Sequence, residues 1–312
     1  MAVRLRPGMI CIKSSRLDLR HDKNGRLQHF PARMEGKMKF KNVFAVTASG
    51  APNDSVVAVA QQLASQNEGR VSALMVAWMP ALIMADGWVA SPVWADIRAQ
   101  TEARLILDLD ALNSRLKAGL PATGTVEGDV VELGLLADAV STRARHHDVT
   151  VVGCAQTHAQ QRLAEAALFA SGRPVMLAPT AWKPREIGRN IVVSWKPTRQ
   201  AARALAEAAN LLAHAYSVAV VQVDADHTED DCLAAGGDVA AHLGRRGIKV
   251  HSCVLAPLGR SEARAVLDHA AAVDADLIVM GGYGRSRMSE FVFGGMTREM
   301  LRSANIPILM AH

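Results

Sequence analysis

The chain has 312 residues, half of them apolar, and a formal charge of +5. That length points to about two domains, and no apolar run approaches the ~20 residues a membrane-spanning helix needs. The charge is uneven: residues 1–41 hold eleven Lys/Arg against Asp18, Asp22 and Glu35, or +8, so the remainder sums to −3, which argues against a basic nucleic-acid face on the body of the molecule.

Only 4% of residues are aromatic, while alanine, valine and leucine dominate. That balance suits helices packed on a parallel sheet better than an all-β sandwich. Cys11, Cys154, Cys232 and Cys253 show no metal-ligand or redox spacing. Cys154 and Cys253 border apolar runs and read as small core residues, and this cysteine usage fits a reducing cytoplasm. The histidines form no HxxxH or HxH cluster, so no metal site is expected.

Residues 1–37 lack sustained periodicity and are rich in Arg and Lys. A disordered basic tail, a targeting peptide and sequence upstream of a later start at Met34 or Met38 all compete. The segment lacks the apolar core of a secretory signal, and it is taken as a disordered extension with little role in the fold. From Phe40 a regular alternation begins. Strands are expected over 43–46, 71–78, 123–126, 149–152 and 174–177. Helices are expected over 56–65 (capped by Asp54 or Ser55), 95–118, 131–145 and 163–169. This β-α alternation implies a parallel sheet with right-handed crossovers. Residues 179–189, with two prolines and no periodicity, read as a linker.

The pattern then restarts. Asn190-Ile-Val-Val-Ser-Trp-Lys196 echoes Asn42-Val-Phe-Ala-Val-Thr-Ala48, Asp276-Leu-Ile-Val-Met280 echoes Asp148-Val-Thr-Val-Val152, and Ile306-Pro-Ile-Leu-Met310 echoes Arg173-Pro-Val-Met-Leu177. Helices are expected over 199–215, 228–243 and 261–273, and strands over 218–223 and 249–255. A repeat this long is two copies of one domain, here 38–180 and 181–312. The short apolar last strand of each copy is an open edge that invites pairing.

The stretch 280–301 carries the chemistry. Gly281, Gly282 and Gly284 follow an apolar strand, and Gly294 and Gly295 open the last helix. Glycines between a strand and a helix let a phosphate meet unpaired N–H groups and the helix dipole. The first copy has Gly153-Cys-Ala-Gln-Thr-His at this place, and the span from the fourth strand's Asp to the fifth strand's Pro is 26 positions (148 to 174) against 31 (276 to 307). Glycines needed only for sheet geometry should recur in both copies, so the asymmetry points to a cradle in the second copy alone.

These residues resemble the universal stress protein family, whose signature is G-x2-G-x9-G-[S/T]. Here it reads Gly281-x2-Gly284, nine residues, then Gly294-Gly295, with Gly295 in place of the Ser/Thr and Thr297 two residues on. The resemblance covers about 38–312 as a tandem, bacterial-type pair, and is specific in the second copy. It implies two doubly wound, Rossmann-like five-stranded parallel sheets of order 3-2-1-4-5, paired within the chain as a pseudo-dimer, and a stress-response protein that binds ATP at the carboxyl ends of strands 1 and 4. Carried over, Gly281, Gly284, Arg285, Ser286, Gly294, Gly295 and Thr297 line the pocket, Arg285 faces phosphate, and Val223 meets adenine through its backbone. The family's Asp after strand 1 is replaced by Lys196 in the second copy, whose ammonium can reach a phosphate instead, and by Ala48 in the first, so AMP, another anionic ligand or no ligand stay open beside ATP. The residues form no Ser/His/Asp, Cys/His or paired-carboxylate set, so strong catalysis is not expected, with slow ATP hydrolysis left open. An interaction protein with both sites dead is one alternative. A PP-loop adenylating enzyme is another, but Ser49–Ser55 is only a weak echo of its loop, lacking the second glycine. A homodimer of the tandem chain is also left open.

Overall fold

The computed structural model describes residues 19–21, 27–29, 40–51, 54–79, 92–119, 123–155, 157–224, 237–282 and 295–312. It divides into two units, 1–36 and 37–312. In the first, β1 (Leu19–His21) and β2 (Leu27–His29) pair antiparallel, with Leu19 opposite His29.

In the second unit, β3 (Asn42–Ala48), β4 (Arg70–Met79), β5 (Thr123–Glu132), β6 (Val149–Gly153) and β7 (Val175–Ala178) belong to the first half. The second half supplies β8 (Asn190–Ser194), β9 (Ser217–Val223), β10 (Val250–Leu255), β11 (Leu277–Gly281) and β12 (Ile308–Ala311). They form one ten-stranded sheet of order β10-β9-β8-β11-β12-β7-β6-β3-β4-β5. Within each half all pairings are parallel, and the order is 3-2-1-4-5 when each half's strands are counted from its own first strand. The halves meet where β7 and β12 pair antiparallel, Met176 opposite Leu309. Antiparallel pairing of equivalent strands is the contact a two-fold axis generates. The pairing also removes the two apolar edges that each half would otherwise expose.

The strands are continuous apolar runs because both faces are covered. Successive side chains alternate between two cores. One face buries Val43, Ala45, Ile191 and Val193 under α1 (Asp54–Gln66), α2 (Pro92–Gly119), α5 (Arg199–Glu207), α6 (Ala209–His214) and α7 (Gly237–Gly244). The other buries Phe44, Val46 and Val192 under α3 (Leu136–Ala144), α4 (His158–Ala170), α8 (Glu262–Ala272) and α9 (Gly295–Ser303).

The same polar anchor starts both halves. The Asp148 carboxylate accepts from the N–H groups of Lys41 and Asn42, each at 2.9 Å. Asp276 accepts from Gly188 (2.6 Å), Arg189 (3.0 Å) and Asn190 (2.8 Å). Each aspartate therefore fastens the entry of its half's first strand to the start of its fourth. Gly188 turns the linker at φ +91, and a Cβ there would lie 3.1 Å from Leu211 Cδ2, so this corner suits glycine twice over.

Three local expectations need amendment. The third strand of the first half runs to Glu132, because after a register shift β5 stays paired with β4 from Val126 opposite Ala73 to Glu132 opposite Met79. Its polar-apolar alternation is the pattern of an edge strand, where we expected the start of a helix at 131. The helix expected over 199–215 is interrupted at Ala208. The helix α1 already starts at Asp54, so Ser55 lies inside it, buried, with its hydroxyl donating to the Thr180 carbonyl at 3.0 Å and tying the helix to the linker.

Candidate functional site

The ordering of each half reverses beside its first strand. In the second half, β9 lies on one side of β8 and β11 on the other. This is the switch point at which open α/β sheets bind ligands, outside the carboxyl ends of the strands. Three of the residues singled out in the sequence gather at those ends. Lys196 follows β8 and is exposed, Val223 ends β9 and is half-buried, and Gly281 ends β11. The β8 exit is well held: Trp195 N–H donates to Val221 O (2.8 Å), and Thr198 N–H donates to Lys196 O (2.7 Å). Thr198 then caps α5, its hydroxyl accepting from Ala201 N–H at 3.2 Å.

That helix start is why Gly281 is glycine. A Cβ there would lie 2.5 Å from Ala201 N and 2.8 Å from Gln200 C. Both are backbone atoms, so the first turn of α5 rests directly on the end of β11. Gly281 thus has a packing role that would hold with or without a ligand, a point the signature alone does not reveal. Gly282 is buried, donates to Ala311 O (2.9 Å), and accepts from His312 Nδ1 (3.1 Å). Its nearest obstacle is the tip of Leu168 in α4 of the first half.

Gly284, Arg285, Ser286 and Gly294 lie outside the described residues. Gly295 opens α9 and is exposed, with nothing within 4 Å of the position its Cβ would take. Packing does not demand glycine there. Thr297 sits with Met300 and Leu301 on the buried face of α9 and is 5% exposed. This places it in the seat of the helix, beside the start of α9 where the family resemblance puts the pocket lining. The α9 helix also reaches the other half: Ala155 N–H, just after β6, donates to Leu301 O at 2.7 Å. On the pseudo-symmetric side Phe169 of α4 packs edge-on against His312, with ring centroids 4.9 Å apart. Each half's last helix thus braces the loop that leaves the other half's fourth strand.

In the first half the equivalent corner is closed by a polar bridge that the sequence reading missed. Asp108 of α2 accepts from Ser49 Oγ (2.9 Å) and from Gly50 N–H (2.8 Å), and pairs with Arg104. Burial pushes the Asp108 carboxyl up, but the Gly50 N–H, Arg104 and Ser49 bonds outweigh it and hold the group below its ordinary value. The residues after β3 are therefore committed to a helix. No sequence spacing links 49 to 108; only the packing of a long helix over β4 does.

Burial pushes the Cys154 thiol up to about 12, as befits a core residue with no nucleophilic role. Cys253 Sγ lies 3.9 Å from His269 Nε2, and burial lowers that imidazole's pKa. This is a weak thiol-imidazole hydrogen bond across β10 and α8. Among the described residues no three His, Cys, Asp or Glu side chains converge to hold a metal. No described helix is long and apolar enough to cross a membrane.

A universal stress protein structure from Archaeoglobus fulgidus DSM 4304 aligns with 86% of this chain and 95% of its own, with a TM-score of 0.63 at 14% identity, a likeness of fold. A second universal stress protein from Archaeoglobus fulgidus is 27% identical over 38% of this chain and 95% of its own, with a TM-score of 0.31. A universal stress protein solved in complex with cAMP is 23% identical over 46% of this chain and 98% of its own, with a TM-score of 0.29. Comparison with curated proteins gives no match. Residues 188–312, the half that carries the glycine signature, match the model of the universal stress protein family.

Proposed function

We propose that this chain is a tandem stress-response protein of the universal stress type that binds one nucleotide, ATP in the first instance, in its second half, and that it regulates rather than catalyses. The observation that carries this reading is the convergence of Lys196, Val223 and Gly281 at the carboxyl ends of β8, β9 and β11, in the half that matches the family. The first half lacks the glycines and has tied its own corner to Asp108, so a single site per chain follows. With Lys196 in the position of the family's Asp, the sequence offers no acid there to hold a metal beside the phosphates, which favours binding over hydrolysis. Its ammonium suits a phosphate as a point charge. AMP is the second candidate for the same pocket. The cysteine usage suits a cytoplasmic setting.

Mass spectrometry of small molecules released from the purified protein tests this directly, with titration of ATP and AMP as its complement. One nucleotide per chain is expected. Gly284→Val should reduce ATP affinity at least about tenfold while leaving the thermal midpoint within a few degrees, because a side chain at a cradle glycine blocks backbone approach. Lys196→Ala should weaken ATP more than adenosine, and a change at Gly153 should leave binding untouched. Undiminished ATP affinity in Gly284→Val would sink the cradle.

A further inference from the structure

The first half contains a cavity of about 240 Å3 between the ends of β3 and β4 and the helices α1 and α2. Val57, Met75 and Leu112 give it apolar walls, and Thr47 lines its floor. Thr47 is 4% exposed, and its hydroxyl has no hydrogen-bond partner. Buried hydroxyls without partners are rare, because each carries a desolvation cost that nothing offsets.

The second half supplies a control. Asn42 and Asn190 are equivalent, since the N–H of each is held by its half's aspartate. Five residues on from each stand Thr47 and Trp195. Both positions point to the same face as Val43 and Ala45, or Ile191 and Val193. In the second half the Trp195 side chain is half-buried and packs on that core. In the first half a threonine stands in its place and a cavity remains.

We propose that this cavity binds a small uncharged aromatic molecule bearing one hydroxyl or ring N–H, of indole or phenol size, seated where the second half seats the Trp195 indole. The rim favours a neutral ligand. Arg104 is paired with Asp108, and Arg115 with Asp54, so the four charges cancel. The planar guanidiniums can still flank a ring. Ser49 and Gly50 pin Asp108 and so hold the mouth in shape. A turn about χ1 re-aims the Thr47 hydroxyl among its staggered positions, which lets it meet the ligand's polar atom. The site has no glycine cradle and is independent of the nucleotide reading.

Isothermal titration of the full chain with indole and with phenol tests the proposal. Saturable binding of one molecule per chain is expected, unaffected by saturating ATP. Thr47→Trp should fill the cavity, abolish indole binding and leave the thermal midpoint equal or higher. Thr47→Val keeps the shape without the hydroxyl, and should weaken indole about five- to tenfold while leaving toluene unchanged. Absence of saturable binding, displacement of indole by ATP, retained indole binding in Thr47→Trp, or equal indole affinity in Thr47→Val would each overturn it. The valine variant keeps the test open if the tryptophan variant does not fold.

Discussion

Asp276→Ala is expected to destabilise the protein by about 3 kcal/mol, and Asp148→Ala by about half as much. Both aspartates fasten a first strand to a fourth, but Asp276 holds three backbone N–H groups and Asp148 holds two. Truncation leaves these donors unpaired. Gly188, buried, cannot turn to water as the exposed Lys41 can. Urea midpoints at unchanged slope measure the difference, and a loss at Asp148 equal to or larger than that at Asp276 would refute the account. The pH dependence has a definite sign. Burial raises the Asp276 carboxyl above 3.8 despite the N–H bonds that pull it down. A raised folded-state value means that this group's contribution is fully present below 3.8 and is lost as pH rises through the raised value. The stability advantage of wild type over Asp276→Asn should therefore shrink as pH rises through that window, and an advantage that grows would contradict the assignment.

The two aspartates also show what the sequence could and could not convey. Their recurrence before Leu277 and Val149 marked the repeat, and the apolar runs between glycine- and proline-rich breaks marked nearly every strand of the sheet. The two short apolar edges showed where pairing could occur, and the family resemblance implied that the copies pair within the chain; that β7 and β12 run antiparallel is seen only in the sheet. The purpose of the aspartates was hidden, because it depends on which backbone N–H groups lie opposite them. The end of β5 was misread for a related reason: its alternation is that of a strand exposed on one face, and only the register with β4 distinguishes it from the start of a helix. The Asp108 bridge and the Thr47 cavity are invisible in one dimension, since each joins residues about sixty or thirty positions apart through helix packing. The places of Lys196, Val223 and Gly281 at strand ends were legible from the apolar runs that precede them, whereas the burial of Thr297 depends on how α9 is rolled against the sheet, which no spacing reveals.

Gly281→Val should cost about 3 kcal/mol or more, at the upper end of overpacking penalties, and should lower the unfolding midpoint whether or not nucleotide is present. The atoms in the way are Ala201 N and Gln200 C, at 2.5 and 2.8 Å from the new Cβ. A side chain could swing aside, but a helix backbone moves only as a unit, and α5 is held by its Thr198 cap and by the buried Ala201, Ala204 and Leu205. Gly282→Ala should be milder, since its obstacle is the flexible end of Leu168 at 2.7 Å. Gly295→Ala should be neutral or stabilising by about 0.5 kcal/mol, because the position is helical and open. Together these three variants separate packing from recognition within one signature. Equilibrium unfolding ranks them Gly281, then Gly282, then Gly295. If backbone N–H groups at the start of α9 receive a phosphate, ATP titration of the well-folded Gly295→Ala protein should show a loss of affinity without any loss of stability. Wild-type affinity in that variant would remove Gly295 from the pocket and leave its glycine without a role in either packing or binding.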